Sequence, residues 1–181
     1  MTPIEHAEAL LRSVIGNDAY DESTHLNETP ERFVRMLQEL TKSEKFKMTT
    51  FESPHDEMIV VSPIHFYSLC AHHIIPFFGT AHVAYIPQGR IAGLSKIARM
   101  VKYYSRGFWI QEDLTWTIAE ALVEVLNPVG VAVVMKAEHL CMAMRGAQSP
   151  GTKTTTSTMV GAFLDHSKLA KAEFFELIRN D

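Results

Sequence analysis

Only two cysteines occur in the 181 residues, and both lie beside histidine. Cys70 stands in SLCAHHIIPFFG with His72 and His73, and Cys141 stands in EHLCMAMRG two residues after His139. Thiolate and imidazole are ligands that zinc prefers, and a catalytic zinc keeps three protein ligands with a fourth position open for water. Cys70, His73 and Cys141 would make such a set. The C-x-x-H spacing requires a bend, because residues three apart on an extended strand face opposite sides. A turn before Pro76 and Gly79 can provide it. His139 and Cys141 are two apart on an expected strand and would share a face. His72 and His139 then stand beside the metal without being required as ligands. Imidazole titrates near neutral pH and is the commonest general acid or base, so the arrangement suits hydrolysis. With His139 as a fourth ligand, the same residues would instead make a closed structural zinc. Spacing does not choose between the two.

Other residues could hold an anionic substrate. Ser95, Lys96 and Arg99 open an expected helix, where free N–H groups and the helix dipole favour an anion. Arg145 closely follows the second cysteine, so a phosphate-bearing group could lie between these elements. The plainer reading of Lys96 and Arg99 is a solvated helix face. Gln111 and Glu112 open the next helix. A carboxylate there stabilises a helix N-terminus, and it could also accept from the N1–H and 2-amino group of a guanine. His6, His25, His55, His65, His82 and His166 fit ordinary core or surface roles.

These residues need a scaffold, and the chain is long enough for one compact domain with an appendage. With 46% hydrophobic and 21% charged residues it has an ordinary globular composition. A formal net charge of −4 argues against broad capture of nucleic acid, though not against a local basic pocket. No apolar run reaches the roughly eighteen residues of a membrane span, and the acidic start MTPIEHAEALL lacks a basic leader, which predicts a cytoplasmic protein. In a reducing compartment, two cysteines are poor candidates for a disulfide.

The first fifty residues read as helical. Thr2-Pro3 with Glu5 has the form of a capping box, and Ile4, Ala7, Leu11, Val14 and Ile15 follow at helical spacing as far as Gly16. A second start at Thr29-Pro30 puts Phe33, Leu37 and Leu40 on one face, after a polar connection over residues 17–28. From Glu57 the pattern turns to strands, EMIVVSPIHFYSLC and GTAHVAYIP, which read as a hairpin. Helices follow in SKIARMVKYYS, opened by Ser95, and in QEDLTWTIAEALVEVLNP, with a stripe of Leu114, Ile118, Ala121 and Val125. One or two strands in VGVAVVMKAEHLCMAMRG, another in TKTTTSTMVGAF and a last helix over residues 168–180 complete the order. The chain is expected to be α+β, with a helical extension over 1–50 and a catalytic domain over 51–181.

CAHH with IIPFFG, HVAYIP, GLSK-x-AR, QE-x-LT, EHLCMAMRG and TTTST, in that order and preceded by TPERF and DEMIVV, resemble the GTP cyclohydrolase I family. The resemblance covers roughly residues 29 to 178. It implies a tunnelling fold, an antiparallel ββααββ unit with an N-terminal helical extension and a C-terminal helix. It further implies a homodecamer of two pentameric rings with active sites between subunits. Carried over by motif, Cys70, His73 and Cys141 correspond to ligands of Zn2+, and His72 and His139 to the acid–base histidines. Glu112, helped by Gln111, corresponds to the guanine reader. Ser95, Lys96, Arg99 and Arg145 correspond to the triphosphate cradle, with Arg32 reaching in from a neighbour. The implied reaction takes GTP and water to 7,8-dihydroneopterin triphosphate and formate. Water adds at C8, the imidazole ring opens, formate leaves, and the rearranged ribose closes a pterin. Folate, tetrahydrobiopterin and 7-deazaguanine routes can begin with this chemistry. The chain departs from the family pattern at Ala71, where a glutamate is usual, and at Gly107 and Asp113, where basic residues are usual. Ala71 is the one feature that would suit a diverged relative that binds a purine nucleotide without turnover.

Overall fold

A computed structural model describes residues 1–44, 47–164 and 169–179. The chain divides into two compact units, Met1–Lys42 and Ser43–Asp181.

The first unit is helical, with α1 Pro3–Ile15, α2 Asn17–Glu22 and α3 Thr29–Thr41. Local signals account for its boundaries. The Thr2 hydroxyl accepts from the Glu5 N–H at 3.2 Å, and the Glu5 carboxylate accepts from the Thr2 N–H at 2.6 Å, which closes the expected capping box. Gly16, at φ +91°, stops α1 in a conformation that a side chain would resist. The polar connection contains α2, whose Tyr20 is buried beneath the Arg12 guanidinium, 4.2 Å from its ring centroid. Apolar spacing did not translate into burial here. Ala7 is buried, whereas Ile4, Val14, Ile15 and Phe33 are exposed.

The second unit opens with β1 Thr50–Glu52, β2 Ile59–Cys70, β3 Pro76–Ile86 and β4 Arg90–Ala92, followed by α4 Leu94–Ser105, β5 Phe108–Trp109 and α5 Gln111–Leu126. It continues through β6 Gly130–His139, a single helical turn α6 Leu140–Ala143, β7 Lys153–Gly161, a 3-10 turn Ala162–Leu164 and α7 Leu169–Leu177. Strands β5, β2, β3, β6 and β7 form one sheet in that order, antiparallel except for the short parallel β5–β2 pair, while β1 and β4 pair separately. Residues 168 and 180, the ends of the expected last helix, and His166 lie outside the described residues.

One sheet face carries Phe66, Phe77, Val83, Tyr85 and Met135 against Ile97 and Met100 of α4 and Leu114, Ile118 and Leu122 of α5, all buried. Each such side chain contributes on the order of 1.5–3 kcal/mol when fully buried, which makes this face the main anchor of the site's scaffold. The buried stripe of α5 runs through Leu114, Ile118, Leu122 and Leu126, while Val125, expected on it, is 39% exposed. The opposite face packs Ala84, Ala132 and Val134 on Phe163, Phe174 and Ile178. A Cβ at Gly79 would sit 1.9 Å from the Lys136 carbonyl oxygen, so only glycine lets β3 and β6 approach there. His82 is fully buried in β3, with its ring nitrogens beside the Ser62 and Thr80 hydroxyls. No helix among the described residues is long and apolar enough to cross a membrane.

Two expectations need correction. α4 begins at Leu94 with Gly93 in the extended N-cap position, so Ser95 lies inside the first turn. Cys141 lies on α6, beyond the strand that ends at His139. The last β3–β6 pair is Phe77 with His139, and the next residue of β3 is Pro76, which has no N–H to offer. Past His139 the chain turns helical instead.

Candidate metal centre and substrate site

Cys70 is the last residue of β2, and its side chain is buried. The chain reverses immediately after it. The Cys70 carbonyl accepts from His73 N–H at 3.3 Å and Ile74 N–H at 2.8 Å, and Cys70 N–H donates to the Ile75 carbonyl at 2.9 Å. Ile74 takes φ +56°, a strained value for a β-branched residue, which is held by these bonds. This turn is the bend that the C-x-x-H spacing demands. Ala71 N–H donates to the Trp109 carbonyl at 3.0 Å, tying the turn to β5.

Cys70, His73 and Cys141 bring their donor atoms within 4.8 Å of one another. The Cys141 thiol lies 3.9 Å from the Cys70 sulfur, and His73 Nδ1 lies 3.7 Å from it. A tetrahedral zinc, with Zn–S of about 2.3 Å and Zn–N of about 2.0–2.1 Å, separates two sulfurs by about 3.8 Å and a sulfur from a nitrogen by about 3.6 Å. The donor set and its spacing therefore fit zinc. Burial pushes the Cys141 thiol above the ordinary range, with Cys70 adding to the shift, while the charge of Arg145 opposes it. A metal would displace that proton on binding.

His72 is exposed, with Nδ1 at 3.9 Å from the Cys70 sulfur, so it borders the group without belonging to it. His139 also stands outside the group. Its ring stacks on Phe77 at 4.6 Å, 3° from parallel, and its Nε2 lies 2.7 Å from Gln111 Oε1. Burial lowers its pKa, and the nearby Glu112 carboxylate partly restores it.

Gln111, expected beside a base, is 1% exposed. Its two amide hydrogens are shared among three acceptors, the Met135 and Thr154 carbonyls and the Thr156 hydroxyl, each 3.1 Å from the nitrogen. Thr115 bonds the Gln111 carbonyl at 2.7 Å and Thr156 Oγ1 at 2.6 Å. Phe77, Thr115 and Thr156 were absent from the sequence-derived set. Thr115 carried a faint signal, four residues after Gln111 on one helical face; Thr156, 45 residues away, carried none.

Glu112 is exposed on the first turn of α5. Ser95, Lys96 and Arg99 lie on the first two turns of α4, and Arg145 follows α6 closely enough for its charge to act on Cys141. Among the described residues, no ion pair engages Lys96, Arg99 or Arg145. Arg32 belongs to α3 of the helical unit, where it pairs with Glu28.

The family model of GTP cyclohydrolase I matches residues 4–179. The chain belongs to the GTP cyclohydrolase I family. Relatives in that family include GTP cyclohydrolase 1 of Synechococcus sp. (strain JA-2-3B'a(2-13)), 49% identical across 96% of this chain and 76% of that protein. The Sulfurihydrogenibium sp. (strain YO3AOP1) GTP cyclohydrolase 1 is 49% identical across 98% of this chain and 94% of its own length. That of Bacillus pumilus (strain SAFR-032) is 44% identical across 98% and 96%. Among solved structures, the fold resembles the archaeosine synthase QueF-Like in the apo form, with TM-score 0.50 at 20% identity over 61% of this chain and 98% of that one. At that identity the likeness speaks for the α+β fold alone.

Proposed function

We infer that this chain converts GTP and water to 7,8-dihydroneopterin triphosphate and formate at the Cys70–His73–Cys141 centre. Family membership supports the activity, and the three donor atoms at zinc spacing, with His139 held beside them, are the observation that carries the assignment to this site. Zinc held by the two thiolates and one imidazole would supply a Lewis acid that activates water at neutral pH.

The chain's own residues do the rest. Glu112 accepts from guanine N1–H and the 2-amino group and so orients the base. Ser95, Lys96, Arg99 and Arg145 receive the triphosphate, where unpaired cations lose little by turning to a new anion. Arg32 contributes from a neighbouring subunit. His72 and His139 move protons to and from the purine imidazole as its ring opens and formate departs, and one of them protonates N7. The scaffold is a tunnelling fold whose edge strands join copies of the chain into two stacked pentameric rings, working in the cytoplasm. The product can enter folate, other pterin or 7-deazaguanine synthesis.

The test is pterin formation from GTP, read by fluorescence after oxidation, in zinc-loaded, chelated and zinc-restored protein. Activity should vanish on chelation and return with zinc. Tight GTP binding without pterin in the zinc-loaded protein would leave a nucleotide-binding relative, and full activity in thoroughly metal-free protein would remove the metal from the reaction.

A further inference from the structure

The side chain of Gln111 is enclosed on every polar atom but one lone pair. Its nitrogen end lies 3.1 Å from the Met135 carbonyl, the Thr154 carbonyl and the Thr156 hydroxyl. Carbonyl oxygens only accept, so the amide group facing two of them must be the NH2. The reversed amide would place its oxygen against both carbonyls and its hydrogens against His139, which the donor count forbids. Oε1 therefore faces His139 Nε2 at 2.7 Å, and because an amide oxygen only accepts, Nε2 must carry a hydrogen. The threonines reinforce this orientation. The Gln111 backbone carbonyl can only accept, so Thr115 donates to it at 2.7 Å, and in the 2.6 Å contact between hydroxyls Thr156 donates to Thr115. The bonds run in one direction, from the Gln111 amide to Thr156, to Thr115, and back to the Gln111 backbone. Phe77, stacked 3° from parallel, sets the plane of the imidazole, and the Gln111 bond sets its rotation within that plane.

We propose that Gln111 is a positioning residue that holds His139 in its Nε2–H tautomer, leaving Nδ1 as the nitrogen through which His139 exchanges protons with the substrate. The second half rests on the function inferred above; the tautomer does not. The arrangement also takes the Gln111 side chain out of base reading. Both amide hydrogens are engaged, so it has no N–H to offer guanine O6, and at 1% exposure it cannot turn outward without breaking bonds to two strands, β6 and β7. Reading the base falls to Glu112 instead.

Two measurements on the full zinc-loaded protein test this. First, 15N NMR of histidine-labelled wild type, with the His139 signal assigned by its loss in His139→Asn, should show protonated Nε2 and unprotonated Nδ1 in the neutral ring. The opposite tautomer would overturn the proposal whether or not pterin forms. Second, Gln111→Met keeps the length and removes the acceptor. It should lower kcat by about 100-fold, within the range that one acid–base group contributes, with zinc content, GTP KM and discrimination against ATP near wild type. Its His139 signal should show the mixed tautomers of an unconstrained imidazole. Thr156→Val, a smaller change, should lower kcat by roughly 10-fold with the same loosening of the tautomer. A Gln111→Met enzyme with kcat within about 3-fold of wild type, or one whose loss lies in KM and in GTP over ATP selection with the tautomer unchanged, would return Gln111 to the base. Should wild type make no pterin, the function assignment fails while the tautomer measurement still reads.

Discussion

The metal group and the His139 anchor are neighbours built on opposite plans. The Cys70 sulfur meets His73 at 3.7 Å and Cys141 at 3.9 Å through weak thiol contacts, with His73 exposed and Cys141 half-buried. His139 meets its partners through a 2.7 Å bond, a parallel stack and a buried amide with all its hydrogens engaged. One group would need an ion to complete it, because thiols and an imidazole offer one another little. The other is completed by the protein, because amide, hydroxyl and carbonyl groups satisfy each other in full. Pre-organisation of the proton-transfer side should therefore survive loss of the metal, and the converse should not hold.

The largest effect should come from breaking the ion-dependent side. Cys141→Ser is expected to abolish zinc retention and bring turnover to background, measured as metal per chain and pterin fluorescence, because three ligands barely hold an open site. His139 should keep its bond to Gln111 in that variant, visible as an unchanged tautomer. Metal retention with full turnover would dissolve the distinction.

Next come the adjacent histidines, which sharpen the boundary between binding and proton transfer. His73→Ala should lose the metal. His72→Ala should keep it and lose about 10²–10⁴-fold in kcat, the range for a general acid or base. If His72→Ala released the metal and His73→Ala did not, their duties would be exchanged.

Glu112→Gln probes the substrate beyond both groups. Hydrogen bonds to charged groups contribute about 1.5–3 kcal/mol, so kcat/KM for GTP should fall roughly 10- to 100-fold while that for ATP changes little. As a mere helix-stabilising charge, Glu112 would contribute only about 0.3–1 kcal/mol, and steady-state kinetics on both nucleotides would then show near-normal discrimination.

The smallest effect concerns stability against pH. Burial depresses the His139 pKa, with Glu112 opposing, so below the ordinary histidine value of about 6.5 the unfolded chain takes up more protons than the folded one. Stability is therefore fully present above that pH and falls as pH drops through it. Thermal midpoints on either side of about pH 6.5 should fall more steeply for wild type than for His139→Asn. Parallel slopes would mean that the anchor costs the ring nothing to charge.

Local chemistry made much of this legible. Thr2, Pro3 and Glu5 announce a capping box within four residues, and the box forms. Thr29-Pro30 starts α3, and Leu114 and Ile118 mark the buried side of α5. The sequence is silent where a distant partner decides. Cys141 looked like a strand residue because nothing in EHLCMAMRG reveals that β3 begins at Pro76 and cannot pair further. Nor does anything in QEDLT reveal that the Gln111 side chain is bonded to Met135, Thr154 and Thr156.

By itself, the sequence determined the chemistry available. Two cysteines and the histidines beside them supply thiolate and imidazole donors that could hold a metal ion, because side-chain type and local spacing are covalent facts. Only the tertiary structure decided how those groups are divided. It drew Cys141 to within 3.9 Å of Cys70 across 71 residues, and it turned Gln111 inward to hold His139. Such choices follow from strand register and from the need of every buried polar atom for a partner. Both are settled between residues far apart in the chain, where spacing carries no signal.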